Sequence, residues 1–277
     1  MDKHTTVDEV RAFHARLMAV ASGSDDPRLE RAFELVPREA FLGAGPWKIM
    51  VNKHYVETPS ANPLFVYQNC VVALDAAKGI NNGEPFLHAR WIGAVAPKKG
   101  ETIVHIGAGA GYYTALLSML ALPSGHVHAF EIEPALARRA SDNLAPFEGV
   151  TVVQGDATEL TLPNCDLIYV NAGVVSPPGP WLKALRPGGR IIFPWRPSNQ
   201  LGVALMMTRM ETSFKVRLLG PAWFIPCVGA SDPAGCVKSP SPLQARSISA
   251  AWLVEDRAPD DTATAVCRDV WFSDTPE

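Results

Sequence analysis

Ile103-Val104-His105-Ile106-Gly107-Ala108-Gly109-Ala110-Gly111-Tyr112-Tyr113-Thr114-Ala115 reads as a short apolar strand that turns through three glycines into a helix. Such a junction sets backbone N–H groups and the positive end of a helix at the carboxyl edge of a first strand, where open α/β sheets take their ligands. The spacing is G-x-G-x-G with Tyr112 next, rather than the G-x-G-x-x-G that seats a dinucleotide pyrophosphate. A nicotinamide dinucleotide is therefore not the expected ligand.

Working outward, strands are predicted at 102–106, 126–131, 150–154, 166–170 and 190–194, with helices at 112–121, 134–144 and 180–185 between them. Two β-rich stretches, 201–210 and 214–219, then follow without a helix. The pattern predicts an α/β, doubly wound, mostly parallel seven-stranded sheet that ends in an antiparallel hairpin. Upstream, Val10, Phe13, Leu17 and Val20 recur at helical spacing, and Asp26-Pro27 opens a second helix through Val36. Residues 43–82 keep no period and read as a loop-rich cap. Residues 247–254 and 262–272 alternate in polarity and read as an added hairpin. The expected division is 1–82 for N-terminal helices and cap, 83–230 for the ligand-binding domain and 231–277 for a β extension.

Each predicted strand end on the ligand edge carries a residue suited to adenosine. Glu131, with Ile132 beside it, closes the second strand and can accept from both ribose hydroxyls. Asp156-Ala157 follows the third strand, where a carboxylate can take a proton from the adenine amine. Asn171 ends the fourth, near where a transferred group would sit. Together with His105, Gly107, Ala108, Gly109, Gly111 and Tyr112 they outline an adenosine site without phosphate-binding equipment, which is what S-adenosylmethionine requires.

The 277 residues carry 25 Lys+Arg against 28 Asp+Glu, a net charge of −3, so no basic footprint for nucleic acid is expected. The five cysteines are scattered and form no C-x-x-C pair, and no apolar run is long enough for a bilayer. A reducing, cytoplasmic setting without membrane contact is expected. His126 and His128 share a strand face with no third ligand near in sequence, so no metal is expected. The sequence does not fix an oligomeric state.

Over residues 7–229 the chain resembles the protein-L-isoaspartate O-methyltransferase family, a branch of the class I S-adenosylmethionine-dependent methyltransferases. The resemblance rests on Val36-Pro37-Arg38-Glu39-Ala40-Phe41-Leu42, on the glycine block quoted above, on Gly155-Asp156, on Leu185-Arg186-Pro187-Gly188-Gly189-Arg190-Ile191-Ile192-Phe193-Pro194, and on Phe224-Ile225-Pro226. Two positions depart from the family. An acidic residue that the family uses toward the methionine amino group is His105 here. The family's T-I-S-A-P-H-M-H-A is Asn81-Asn82-Gly83-Glu84-Pro85-Phe86-Leu87-His88-Ala89, so Gly83 stands where the resemblance implies a substrate-facing serine.

Methyl transfer from a sulfonium is an in-line displacement, and a carboxylate acceptor needs no base. A hydroxyl or amine acceptor would need one; His88 is then the first candidate and Glu84 the second, with Gly83 and Pro85 on the acceptor side. The leading expectation is a methyltransferase of isoaspartyl-methyltransferase fold acting on a small molecule or a modified peptide. The isoaspartyl repair activity itself is the alternative, and a non-catalytic S-adenosylmethionine-binding module is the third.

Overall fold

The computed structural model describes residues 5–275. In chain order its helices are α1 (Val7–Ser22), α2 (Pro27–Leu35), α3 (Pro85–Val95), α4 (Tyr112–Ala121), α5 (Pro134–Leu144), α6 (Gly179–Ala184) and α7 (Pro242–Ala245). The strands are β1 (Lys48–Val51), β2 (His54–Glu57), β3 (Val71–Asp75), β4 (Ile80–Asn81), β5 (Thr102–Ile106), β6 (His126–Glu131), β7 (Val150–Gln154), β8 (Cys165–Val170), β9 (Leu185–Ser198), β10 (Leu201–Arg209), β11 (Phe214–Pro221), β12 (Cys236–Lys238), β13 (Ala250–Leu253), β14 (Ala263–Cys267) and β15 (Val270–Ser273). The chain forms two compact units, one of residues 1–100 with 108–154 and one of 101–107 with 155–277.

In the first unit, local chemistry sets the helix starts. Thr6 and Glu9 form a reciprocal capping box on α1, and the Asp26 carboxylate accepts from the Arg28 N–H at 3.0 Å with Pro27 at the first position of α2. The segment expected as a loop-rich cap instead folds into a four-stranded antiparallel sheet in the order β2-β1-β3-β4. Its strands have five residues or fewer, and the burial pattern of β2 is three exposed residues around one half-buried one, so no alternation accumulates in the sequence. The β1–β2 turn also runs through Asn52 and Lys53, both at positive φ, without the glycine that usually marks such a hairpin. Leu42, Trp47, Val66, Tyr67, Cys70 and Val72 form the core of this region. The fully buried Arg38 ties it together, donating to the Val66 carbonyl and the Cys70 carbonyl, each at 2.7 Å. β6 and β7 pair in parallel, ending at Glu131↔Gln154.

In the second unit β5 pairs with β8 and β8 with β9, all parallel, and β10 and β11 follow as the expected antiparallel pair. The C-terminal residues correct the expectation of a separate added hairpin. β13, β15, β14 and β12 continue the same sheet beyond β11 by antiparallel pairing, with Trp252 stacked on Trp271 at 4.5 Å between ring centroids. The outer edge of β11 is thereby covered rather than left open. Among the described residues no helix is long and apolar enough to cross a membrane.

Candidate cofactor and acceptor site

In the first unit the glycine turn is pinned to the end of β6. Ala108 N–H donates to the Phe130 carbonyl at 3.1 Å, and Gly109 N–H donates to Glu131 Oε2 at 2.6 Å. The other oxygen, Oε1, accepts from Glu133 N–H at 2.9 Å. Burial raises the Glu131 carboxyl pKa, and these backbone donors oppose the rise. Gly111 caps α4 at φ 96°, where a Cβ would stand 2.7 Å from Leu144 Cδ1. Ile132 stays 39% exposed, offering an apolar face next to the carboxylate. Tyr112 is buried edge-on against Phe41 at 5.6 Å, which seats the 36–42 block on the start of α4.

This half fits an adenosine ligand. Each Glu131 oxygen has a lone pair left after its backbone contact, which suits two ribose hydroxyl donors, whereas a pyrophosphate would meet like charge.

The acceptor-side segment is also in the first unit. Asn81 Oδ1 accepts from Gly83 N–H at 2.9 Å, and Pro85 opens α3. Gly83 has φ +68°, and a Cβ built there would lie 2.3 Å from His88 Nε2. His88 is 1% exposed and stacks on Tyr113 with ring centroids 3.7 Å apart. The imidazole thus fills the space that a side chain at position 83 would need. Exposed Glu84 accepts from Asn69 Nδ2 at 2.5 Å, while Asn69 Oδ1 accepts from Phe86 N–H at 2.9 Å, so this carboxylate takes part in clamping the start of α3.

In the second unit His105 is fully buried in β5, and burial pushes its pKa down to about 3. Its Nε2 lies 2.8 Å from Asn171 Nδ2; since an amide nitrogen can only donate, the imidazole accepts and is neutral. Asn171 N–H donates to the Ile106 carbonyl at 2.8 Å, and its side-chain Oδ1 is buried with no partner. Gly107 lies alongside, a Cβ there falling 3.5 Å from Asn171. Asp156 Oδ1 accepts from both the N–H and the hydroxyl of Thr158, each at 2.8 Å, and the Ala157 carbonyl accepts from Trp181 Nε1 at 2.9 Å.

Two side chains here escaped the sequence reading. Arg196, near the carboxyl end of β9, packs its guanidinium 5.1 Å from the ring centroid of the half-exposed Trp223. The available signal was a lone cation at the carboxyl end of the 191–195 apolar run, one residue type that such a strand end seldom carries without a partner.

The model of the protein-L-isoaspartate(D-aspartate) O-methyltransferase family matches residues 22–232, leaving the four C-terminal strands outside it. A Rhodopseudomonas palustris protein-L-isoaspartate O-methyltransferase is 30% identical over 225 residues, covering 78% of this chain and 94% of that one. The Protochlamydia amoebophila enzyme of the same name is 31% identical over 215 residues, covering 76% and 92%. A solved protein-L-isoaspartate O-methyltransferase superposes with a TM-score of 0.69 at 24% identity, over 81% of this chain and 68% of that one. A Plasmodium falciparum structure of the same description, in complex with S-adenosyl-L-homocysteine, superposes at 0.62 with 16% identity, over 78% and 97%. These likenesses place the fold among the class I methyltransferases, and they replace the expectation of a non-catalytic module with that of an enzyme. The chain belongs to the protein-L-isoaspartate(D-aspartate) O-methyltransferase family and is an S-adenosylmethionine-dependent methyltransferase.

Proposed function

We propose that the chain methylates the free α-carboxylate of isoaspartyl residues in peptides and proteins, the activity for which its relatives are named. The observation that carries this is the family match over residues 22–232, inside which the buried Arg38 of the 36–42 block also reaches the Gly83 carbonyl at 3.5 Å and so links the family's signature to the acceptor segment.

For the cofactor, Glu131 would take the ribose, Ile132 and Ala157 would line the adenine, and Asp156 would accept from its amine through Oδ2. Gly107, Ala108, Gly109, Gly111 and Tyr112 form the turn that lets the backbone approach. Asn171 Oδ1, an orphaned buried acceptor, suits the cofactor's amino group. His105 would then act through Asn171, holding the amide so that Oδ1 faces outward. The bound sulfonium supplies an electrophilic methyl. A carboxylate oxygen of the acceptor would take that methyl, with the carbon–sulfur electron pair leaving on sulfur, so that a methyl ester and the thioether would result. No proton moves, so neither His88 nor Glu84 is needed as a base for this acceptor.

The test is mass spectrometry of a short peptide with one isoaspartyl residue after incubation with enzyme and S-adenosylmethionine. One base-labile methyl ester on that peptide, and none on its aspartyl isomer, is expected. An unmodified isoaspartyl peptide under conditions where S-adenosylhomocysteine binds would refute the proposal.

The Gly83–His88 contact favours a second reading. With no hydroxyl at 83, and no room for one while His88 keeps its place, the acceptor subsite is reshaped. A small-molecule or differently modified peptide acceptor fits that change, with His88 and then Glu84 as the base if the nucleophile is a hydroxyl or amine.

A further inference from the structure

Among the described residues of the second unit, Arg196 keeps a buried guanidinium N–H without an acceptor. β9 runs parallel to β8 with Ile192 opposite Tyr169, so Arg196 lies beyond the last paired residue of β8, level with the segment that begins at Asn171. Its backbone N–H donates to the Val174 carbonyl at 2.7 Å. Gly173 donates to the Ile225 carbonyl at 2.7 Å, and a Cβ at Gly173 would sit 2.9 Å from Arg196 Cδ, so the arginine stem passes only because residue 173 has no side chain. The guanidinium is thus threaded between the end of β8 and the 223–228 segment.

What the guanidinium does there is uneven. Nη1 donates to the Phe224 carbonyl at 2.6 Å, and the Trp223 ring covers one face. Nε is buried and has no acceptor, and the side chain makes no ion pair among the described residues. In a guanidinium the Nε–H and the Nη2–H point the same way and make the side-on fork that grips both oxygens of a carboxylate. The protein uses only the nitrogen outside that fork. A desolvated N–H left without an acceptor is unfavourable unless something from outside completes it. Around it, Trp223 is 56% exposed and Ile225 40% exposed, an apolar rim on an otherwise polar edge.

We infer that Arg196 anchors the carboxylate of the methyl acceptor through Nε–H and Nη2–H, with Trp223 and Ile225 bearing the flanking part of a peptide. The site lies beyond the carboxyl end of β8, on the edge where an open α/β sheet takes its ligands. Each carboxylate oxygen keeps a second lone pair when gripped side-on, so an anchored oxygen can still attack the methyl. This inference rests on the proposed carboxylate acceptor.

The experiment is calorimetric titration of the S-adenosylhomocysteine-loaded protein with an isoaspartyl peptide and with the same peptide whose free α-carboxylate is converted to the amide, in the wild type, Arg196→Lys and Arg196→Gln. The wild type should prefer the carboxylate by about 10- to 150-fold, the range for a hydrogen bond to a charged group. Arg196→Gln should abolish that preference with S-adenosylhomocysteine affinity unchanged, and Arg196→Lys should retain part of it, because an ammonium offers charge without the fork. A wild type that binds carboxylate and amide alike, or an Arg196→Gln protein that keeps the preference, overturns the anchor. Methyl transfer measured alongside separates the two claims. A preference that depends on Arg196 with no ester formed removes the proposed activity and leaves the anchor standing.

Discussion

Gly111 and Gly83 both stand at positive φ just ahead of a helix, and they serve opposite ends. At Gly111 a Cβ would press on Leu144 Cδ1, the far end of a flexible side chain, and the turn it allows brings backbone amides to the end of β6. At Gly83 a Cβ would meet His88 Nε2, part of a ring that is itself buried and stacked on Tyr113. The first glycine frees a backbone turn. The second makes room for one of the protein's own side chains. A missing Cβ therefore carries no fixed meaning in sequence; what fills the vacated space decides it.

The largest expected effect breaks the first half of this contrast. Glu131→Ala removes the acceptor of two backbone N–H groups and of the proposed ribose contacts, so S-adenosylhomocysteine affinity measured by calorimetry should fall by about 1.5–3 kcal/mol for each charged hydrogen bond lost. An affinity within twofold of wild type would show that the carboxylate serves only the fold.

Gly83→Ser tests the second half. Overpacking against His88 and the strained backbone should lower stability by about 1–3 kcal/mol in chemical denaturation. His88→Ala in the same chain should recover part of that loss, with a coupling of about 0.5–3 kcal/mol in the double-mutant cycle. This reverses the simple expectation that restoring the family's serine restores its contact. Additive effects in the cycle would mean that the two residues do not meet.

A third effect concerns the strand beside the turn. Burial depresses His105 to about 3 and His14 to about 4, so on acidification the unfolded chain takes up protons near 6.5 that the folded chain refuses. Stability is complete above about 6.5 and falls as the pH drops toward those values, by up to about 1.4 kcal/mol per pH unit for each histidine. His105→Gln should make the decline measured by urea unfolding shallower between pH 6.5 and 4, values taken from the ordinary imidazole range and the depressed ones. Equal slopes in the two proteins would place the His105 titration elsewhere.

The smallest effect is Glu84→Gln. Its carboxylate is exposed and bonded to Asn69, and a surface change of this kind should alter stability by less than about 0.5 kcal/mol and leave carboxylate methylation within about twofold. A large loss of turnover would restore it as a base.

The chain order of β5 to β11 was legible because the strands are mostly apolar and are separated by helices of clear period, by tight turns or, between β7 and β8, by a ten-residue loop. Glu131 was legible as the residue that closes β6, while its bonds to the Gly109 and Glu133 N–H groups were not, because they depend on how the glycine turn folds back on the strand end. The four-stranded sheet of residues 48–81 was hidden by strands too short to show a period. The four C-terminal strands read as strands, but nothing local shows that β13 pairs with β11, since sheet order is set by long-range pairing. His105 was legible as a departure and not as a neutral partner of Asn171, because burial alone decides its charge. Arg196 was legible as a cation at the end of an apolar run and not as a guanidinium whose buried Nε has no acceptor, which only packing reveals.

The most direct measurement of the central claim is a competition. An isoaspartyl peptide and its aspartyl isomer at equal concentration are mixed with enzyme and S-adenosylmethionine labelled in the methyl group, and the label is traced after chromatographic separation. The label is predicted to enter the isoaspartyl peptide alone and to be released by mild base as an ester. Label in neither peptide, or in both alike, with intact cofactor binding would contradict the account.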